Sequence, residues 1–198
     1  MFLVALTGNY GMGKSTVLSM FRKLGAATVD TDEIVESLLT EKEVLLKVRK
    51  LLGNKVYDKN GNLSKKKIAE IVFKNASLRH SLEDILHPLV FKRIKTFTDK
   101  INNTEKILII AVPLVYERGY EDRFDRTIVV YTGEEVAITR LKKNGIPKKD
   151  TLLRLKAQLP IEEKIMRADF LINNDGSLKE TVTRVKKIYK KLLKDMNR

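Results

Sequence analysis

The sequence contains no cysteine, which excludes disulfide bonds and thiolate metal sites. It also contains no apolar run near the roughly 18 to 20 residues that a membrane-spanning helix requires. Residues 1–6 lack a basic leader and a small-residue cleavage site, so we expect no signal peptide. These absences favour a cytoplasmic protein without a membrane partner.

Tryptophan is also absent, and aromatic residues make up 7% of the chain. The 198 residues carry a net charge of +14, from 39 Lys and Arg against 25 Asp and Glu, which suits a nucleic acid or a polyanionic small substrate. A lysine-rich solvated surface is the third explanation, since many lysines fall on the outer faces of predicted helices. Single-stranded nucleic acids bind basic stripes with interleaved aromatic residues, and this pattern is missing, so we expect no nucleic-acid partner.

Five short apolar runs are typical of buried strands, namely residues 3–6, 27–29, 107–112, 127–131 and 170–172. Uninterrupted runs of this kind suit the central strands of a parallel sheet that is covered on both faces. Apolar residues at helical spacing lie between the runs. The pattern therefore predicts an α/β fold with a five-stranded parallel sheet.

Residues 8–15, with the sequence GNYGMGKS, have the complete spacing of a phosphate-binding P-loop between a strand and a helix. Glycines let backbone N–H groups curl around phosphate oxygens, and the N-terminus of the helix faces the same anion. We predict that Lys14 reaches the β and γ phosphates of a nucleoside triphosphate and that the Ser15 hydroxyl binds Mg²⁺. Thr16 supports the α phosphate or the loop geometry. The predicted nucleotide-contacting set also includes Gly11, Met12 and Gly13. The fold class is thus a P-loop NTPase three-layer sandwich.

We assign the P-loop core to residues 1–32, 104–136 and 165–198. Two further segments are added to this core. Residues 33–103 contain no convincing strand and are predicted to form a helical insertion. Residues 137–164 are charged and helical, and they are the candidate lid.

Local signals place several helix ends and turns. Thr40 with Glu43 resembles a capping box, Ser64 is a plausible N-cap, and residues 58–61 form a predicted turn. A helical stretch with Leu78, Leu82, Ile85 and Leu86 is expected to reach His87 and Pro88. The last helix is predicted to place Leu178, Val182, Val185, Ile188, Tyr189 and Leu192 on one side.

A P-loop does not identify the reaction by itself. A GTPase needs Asn-Lys-x-Asp, and residues 54–58 place the acid one position late. A motor ATPase needs an acid at the end of a long apolar strand, and neither 107–112 nor 127–131 ends in this way. A small-molecule kinase is favoured. Another P-loop kinase, such as a nucleoside monophosphate kinase, and more remotely a nucleic-acid-binding ATPase are the alternatives.

Asp30 and Asp32 follow the second predicted strand, at the sheet edge where ligands bind in open α/β folds. A carboxylate there can accept the proton of an attacking hydroxyl, and we predict this role for Asp32. Capping of the next helix is the competing explanation.

Arg140 and Arg154 either stabilise the transferring phosphate from a lid or are solvated helix residues, and spacing does not separate these alternatives.

Seven motifs, in order and over nearly the whole chain, resemble the dephospho-coenzyme A kinase family. The His-Pro, Pro-Leu-x-x-Glu and Gln-x-Pro-x-x-x-Lys elements are together more specific than the P-loop. The motifs occupy residues 6–16, 30–32, 87–88, 112–117, 140–141, 154–164 and 168–176.

The resemblance implies transfer of the ATP γ-phosphate to the 3′-hydroxyl of dephospho-CoA with Mg²⁺, the last step of coenzyme A synthesis. It implies Asp32 as the base, with Lys14 and Arg140 on the transferring phosphate. The insertion becomes the CoA-binding domain, and the segment from Arg140 to Gln158 becomes part of the lid.

The resemblance also implies contacts to the substrates. His87 belongs to the acceptor pocket or is a helix-terminal histidine, and Glu117 is a pocket carboxylate or packs against a lid arginine. Arg154 is assigned to substrate binding from the lid. Asn174 and Gly176 are expected near the adenine, largely through backbone.

Three departures from the family pattern affect details of binding. The family usually carries Asp-Arg where this chain has Ser64-Lys65, so the acceptor phosphate contacts there are expected to be weaker or to come from other lysines, and Lys65 is assigned to substrate binding. Ala111 stands near the usual position of an acid. Residues 141–145 offer lysines where a second arginine is usual, and lysine loses bidentate phosphate geometry.

Overall fold

The computed structural model describes residues 1–59, 61–100 and 107–197. Five parallel strands form one sheet in the order β2-β3-β1-β4-β5. The strands are β1 (Phe2–Thr7), β2 (Ala27–Asp30), β3 (Ile107–Ala111), β4 (Arg126–Tyr131) and β5 (Phe170–Asn173). The predicted α/β fold with a five-stranded parallel sheet is confirmed.

Nine α-helices are found in the described residues. They are α1 (Lys14–Lys23), α2 (Thr31–Leu38), α3 (Lys42–Leu52), α4 (Lys65–Val72), α5 (Ala76–Lys100), α6 (Glu134–Lys143), α7 (Lys148–Lys156), α8 (Ile161–Arg167) and α9 (Leu178–Met196). Among these residues, none of the helices combines the length and apolarity required to cross a bilayer.

Strand β1 lies in the centre of the sheet, between β3 and β4. Leu6 is in register with Ala111 of β3 and with Ile128 of β4. Every residue of β3 is buried, as expected for a strand covered on both faces. The P-loop therefore follows the central strand of the sheet.

One face of the sheet packs against α1 and α9. Phe21 of α1 is fully buried, and its ring meets the ring of Tyr189 edge-on, with centroids 6.3 Å apart. Burial of one such side chain contributes about 1.5 to 3 kcal/mol. This packing fixes the helix that follows the P-loop.

Helix α9 begins with a capping box in which Ser177 and Glu180 satisfy each other's backbone N–H groups. Its buried stripe contains Val185, Ile188 and Leu192. Leu178 was predicted on this side but is 66% exposed, because it is the first helical residue and precedes the stripe.

Residues 31–100 form a compact unit of their own, and residues 1–30 with the chain after 100 form the other. Within residues 31–100, α5 runs through Pro88, so the expected helix end at His87 and Pro88 is wrong. The buried side chains of Leu82, Leu86, Val90 and Ile94 continue the apolar stripe past the proline. This burial outweighs the backbone hydrogen bond that Pro88 cannot donate.

The capping box predicted for Thr40 and Glu43 is also wrong. Helix α3 has Glu41 at its N-cap without a side-chain capping bond, while the Thr40 hydroxyl donates to the Ser37 carbonyl at 2.7 Å. Ser64 does cap α4, accepting from the Lys67 amide at 3.4 Å.

A turn is present where residues 58–61 predicted one, because the Gly61 amide donates to the Asp58 carbonyl at 3.2 Å. Asn60 and residues 101–106 lie outside the described residues. The predicted resumption of the core at residue 104 falls there.

Candidate phosphate-binding site

The loop between β1 and α1 has a backbone that only glycine fits at three positions. Gly8, Gly11 and Gly13 have φ values of 144°, 82° and 92°. A Cβ at Gly8 would lie 2.2 Å from the Val130 carbonyl oxygen, and one at Gly13 would lie 2.2 Å from Asn174 Nδ2. The loop is thus pressed against the ends of β4 and β5, and it curves as a phosphate cradle requires.

Helix α1 begins directly after this curve. Gly13 is its N-cap, and no side chain caps this end within the part of the chain that the structure describes. Ser15 and Thr16 are exposed in the first turn. A helix N-terminus of this kind attracts anions through its N–H groups and its dipole.

Lys14 folds back over the loop. Its Nζ donates to the carbonyl oxygens of Gly8 at 2.9 Å and Asn9 at 3.2 Å. The Tyr10 and Met12 amides are also engaged within the protein, with Gln158 Oε1 at 2.8 Å and the Asn9 carbonyl at 3.3 Å. The cation of Lys14 is therefore held beside the cradle.

Asn174 supports the loop from the end of β5. Its Nδ2 donates to the Met12 carbonyl at 3.0 Å, and its Oδ1 accepts from the Thr181 hydroxyl at 3.0 Å. The Arg140 guanidinium donates to the Asn174 carbonyl at 2.8 Å. Arg140, a predicted phosphate-contacting residue, is therefore located beside the loop support. Gly176 follows two residues later and is exposed.

Asp175 closes the turn beside Asn174. The Thr132 hydroxyl and the Gly133 amide, the latter at 2.7 Å, donate to its Oδ1. These hydrogen bonds stabilise the carboxylate and hold the pKa of Asp175 below its ordinary value. The turn joins the ends of β4 and β5.

Glu117 forms an ion pair with Lys164, at 2.6 Å between Oε1 and Nζ. One of the two expectations for Glu117 is packing against a lid arginine. Its ion-pair partner in the structure is instead a lysine of α8. Lys164 is completely buried, and burial lowers its pKa, while the Glu117 carboxylate opposes that shift. Arg154 lies over the ring of Tyr10, with its Cζ 4.5 Å from the centroid.

Three predicted site residues lie in the unit of residues 31–100. Asp32 is the second residue of α2 and is exposed, so it does not occupy the N-cap position. His87 is half-buried in the middle of α5, which rules out the helix-terminal explanation. Lys65 is the first residue of α4, and its Nζ lies 2.5 Å from Glu36 Oε1.

The donor set fits Mg²⁺ as kinases use it. In residues 1–59, 61–100 and 107–197, no three His, Cys, Asp or Glu side chains cluster as a metal cage would require. Mg²⁺ at nucleotide sites needs only one or two protein ligands, because substrate phosphates and water complete the octahedron. The exposed Ser15 hydroxyl at the N-terminus of α1 suits such a ligand.

Sequence reasoning assigned no role to Asn9, Gln158 and Lys164, although all three contact the loop or its surroundings. Asn9 Nδ2 donates to the Leu159 carbonyl at 3.0 Å. The signal for two of them was present in the Gln-x-Pro-x-x-x-Lys motif, whose lysine is buried. Their partners are distant in sequence, which spacing alone does not show.

The chain resembles known proteins over nearly its whole length. The family model for dephospho-CoA kinase matches residues 2–180. The dephospho-CoA kinase of Aquifex aeolicus is 40% identical over 193 residues, which cover 97% of this chain and 98% of that protein.

Two solved structures share the fold. The structure of TT1252 from Thermus thermophilus superposes with a TM-score of 0.81 at 30% identity, over 95% of each chain. The dephospho-CoA kinase from Campylobacter jejuni gives a TM-score of 0.67 at 26% identity, over 98% of each chain. With a phosphate cradle at the expected place in the sheet and a family match from residue 2 to residue 180, the chain belongs to the dephospho-CoA kinase family.

Proposed function

We propose that this protein transfers the γ-phosphate of ATP to the 3′-hydroxyl of dephospho-CoA, giving CoA and ADP. The observation that carries the proposal is the constrained loop of residues 8–15, at the N-terminus of α1, in a chain of this family. The loop supports ATP as the phosphate donor, and membership of the family supports dephospho-CoA as the acceptor.

Asp32 is the proposed base. It follows β2 by two residues, and ligands bind at the carboxyl ends of strands in open α/β sheets. Its carboxylate takes the proton of the 3′-hydroxyl as the oxygen bonds to the γ-phosphorus. The bond from the γ-phosphorus to the bridging oxygen breaks at the same centre, and ADP leaves with that oxygen.

Lys14 and Arg140 are the proposed partners of the charge on the transferring phosphate. Lys14 Nζ, now on the Gly8 and Asn9 carbonyls, has only to exchange these acceptors for phosphate oxygens. Arg140 is anchored on the Asn174 carbonyl beside the loop. Positive groups held in place before the reaction stabilise the transition state without reorganisation.

Ser15 is the proposed protein ligand of Mg²⁺, which supplies further neutralisation of the phosphate charge when bound. We assign the ATP contacts to the loop residues Gly11, Met12, Gly13 and Thr16, and the adenine side to Asn174 and Gly176. His87, Lys65 and Arg154 are the proposed acceptor-binding residues, and an acceptor contact for Glu117, whose Oε1 is paired with Lys164, stays a prediction. Residues 33–103 as the CoA-binding domain, residues 137–164 as the lid and a cytoplasmic location stay predictions.

Purified full-length protein tests the acceptor. We expect CoA to form from ATP, Mg²⁺ and dephospho-CoA, with kcat/KM at least about 100-fold above that for AMP, which corresponds to about 2.7 kcal/mol of discrimination. Equal turnover of AMP would support a nucleoside monophosphate kinase instead. Salt-sensitive binding of RNA without kinase activity would support the nucleic-acid-binding ATPase.

A further inference from the structure

The connection between α7 and α8 is joined to the P-loop by two hydrogen bonds and to Glu117 by a third. Gln158 Oε1 accepts from the Tyr10 amide at 2.8 Å. The Leu159 carbonyl accepts from Asn9 Nδ2 at 3.0 Å, and the Leu159 amide donates to Glu117 Oε1 at 3.1 Å. Both backbone polar groups of Leu159 are therefore used to connect the loop with Glu117.

Lys164 fixes the position of the Glu117 carboxylate. Its Nζ lies 2.6 Å from Glu117 Oε1 and donates to the Pro113 carbonyl at 3.3 Å. The same carbonyl accepts from the hydroxyl of Thr7, the residue before Gly8, at 3.2 Å. The buried cation of Lys164 thus links α8 to the chain after β3 and, through the shared Pro113 carbonyl, to the end of β1.

Stability alone does not favour this arrangement. A buried ion pair costs desolvation that a well-packed apolar pair avoids, so it is weak as a stabilising device. Asn9 is 5% exposed, and its Oδ1 has no hydrogen-bond partner in the described part of the chain. A buried acceptor in this state is unfavourable, and such costs concentrate at functional sites.

The two glycines that flank Asn9 and Tyr10 supply a functional reason. Asn9 and Tyr10, which we call the outer limb, lie between Gly8 and Gly11, both with φ in the range that glycine favours. Glycine allows many backbone conformations, so an untethered limb would lose entropy when phosphate orders it. Groups held in the bound conformation beforehand avoid this loss.

We propose that Gln158 and the Glu117–Lys164 pair are positioning residues that hold the outer limb in its phosphate-binding conformation. They act on the affinity for ATP through Tyr10, Asn9 and Leu159, and they do not take part in proton transfer. The inference rests on the proposed function for its ATP site, and it gives the Gln-x-Pro-x-x-x-Lys motif a role.

Gln158→Leu tests the proposal, because it removes the acceptor for the Tyr10 amide at similar size. We expect the Kd and KM for ATP to rise about tenfold, while the KM for dephospho-CoA and the Tm stay near those of the unmodified protein. Gln158→Glu keeps an acceptor and is expected to restore most of the ATP affinity. Glu162→Leu, an exposed neighbour in α8, is the matched control.

The ion pair is tested by replacing both partners, since Glu117→Gln alone leaves the Lys164 cation buried and unpaired. Glu117→Gln with Lys164→Met removes both charges at similar volume. We expect this double variant to fold and to show weaker ATP binding with an unchanged KM for dephospho-CoA. A higher KM for dephospho-CoA alone would place Glu117 at the acceptor and overturn the proposal, as would unchanged ATP binding in both variants.

ATP affinity is measured without acceptor, by titration with a fluorescent ATP analogue, so that two failures stay distinct. If the unmodified protein binds ATP but does not phosphorylate dephospho-CoA, the proposed function is wrong. If it makes CoA and the Gln158→Leu variant binds ATP equally well, the positioning role is wrong.

Discussion

The carboxamide of Asn174 donates a hydrogen bond to the Met12 carbonyl at 3.0 Å, 162 residues earlier in the chain. The same side chain accepts from the Thr181 hydroxyl in α9 at 3.0 Å. Asn174 is 5% exposed, so neither bond is easily replaced by water. The P-loop is therefore supported from the end of β5 by a carboxamide that is hydrogen-bonded at both its nitrogen and its oxygen.

Asn174→Asp is expected to destabilise the fold and weaken ATP binding. The change sets a carboxylate oxygen against the Met12 carbonyl, and a buried polar group that loses its partner costs about 1 to 3 kcal/mol. Urea unfolding and ATP titration measure the two effects. Asn144→Asp, at the exposed end of α6, is the control and is expected to change neither. Unaltered stability of the Asn174 variant would contradict the importance of this bond.

Gly8→Ala is expected to be far more damaging than Gly53→Ala. Both positions have positive φ, 144° and 73°, which costs an alanine about 1 to 2 kcal/mol. Only at Gly8 does the new Cβ meet a backbone atom, the Val130 carbonyl oxygen at 2.2 Å, since nothing lies within 4 Å at Gly53. Tm and ATP affinity are expected to fall for Gly8→Ala, with Gly53→Ala losing some Tm only. Equal effects would show that the close approach of the loop to β4 is unimportant.

Asp175→Asn is expected to lower the stability of the protein at neutral pH. The variant is also expected to lose less stability than the unmodified protein when the pH is lowered. The pKa of Asp175 is held below its ordinary value of 3.8 by donors from Thr132 and Gly133, with Arg140 also nearby. A carboxyl with a lowered folded pKa stabilises the protein above its unfolded pKa, and this contribution disappears as the pH falls through the folded pKa. The window thus lies below about pH 4.

Because Asp175 is exposed, solvent screening limits its effect to below about 1 kcal/mol. Tm measured between about pH 3 and pH 7 gives the difference between the unmodified protein and the variant. Asp122→Asn, at another exposed site, is the control. A difference that grows on acidification would refute the assignment.

Asp32→Asn is expected to lower kcat by about 100-fold or more, because general-base catalysis contributes roughly that amount. Binding of ATP is expected to change little, since the proposed role concerns the acceptor hydroxyl. Glu33→Gln is the matched control, an exposed acid at the next position of α2. Near-normal turnover of the Asp32 variant would exclude it as the base and direct attention to Asp30.

Pro88→Ala is expected to stabilise the unit of residues 31–100. Pro88 lies inside α5 and has no N–H to donate to the preceding turn, and a helix-interior proline costs about 3 kcal/mol relative to alanine. Pro88→Gly restores the N–H but is a poorer helix former by about 1 kcal/mol. The expected order of Tm is therefore alanine, glycine, proline. A lower Tm for Pro88→Ala would mean that the proline conformation itself is favourable.

The sheet and the P-loop are predictable from the sequence because their signals are local. Runs such as residues 107–112 are apolar without interruption, and the spacing of Gly8, Gly13 and Lys14 is sufficient to recognise the loop. Strand ends differ from the predictions by about one residue, within the usual uncertainty of such boundaries.

Errors arose where a local preference competed with burial or with another hydrogen bond. Pro88 predicts a helix end, but the stripe through Val90 and Ile94 keeps α5 together. Thr40 can cap a helix, yet its hydroxyl bonds back to Ser37. Both outcomes depend on neighbours that propensity does not include.

The surroundings of the loop were not predictable for a different reason. Tyr10 and Gln158 are 148 positions apart and meet only through the completed fold. The pairing of Glu117 with Lys164 likewise depends on how α8 packs in the completed fold. From the sequence, a lysine on a short helix is ordinarily expected to be exposed to solvent.

The shortness of the two outermost strands has a consequence for self-association. Strands β2 and β5 border the sheet, and each has four residues. A long edge strand offers a row of unpaired backbone groups to another chain, and short edges are one means by which natural proteins avoid aggregation. The sheet that supports the nucleotide loop is therefore a poor template for fibrillar or edge-to-edge growth.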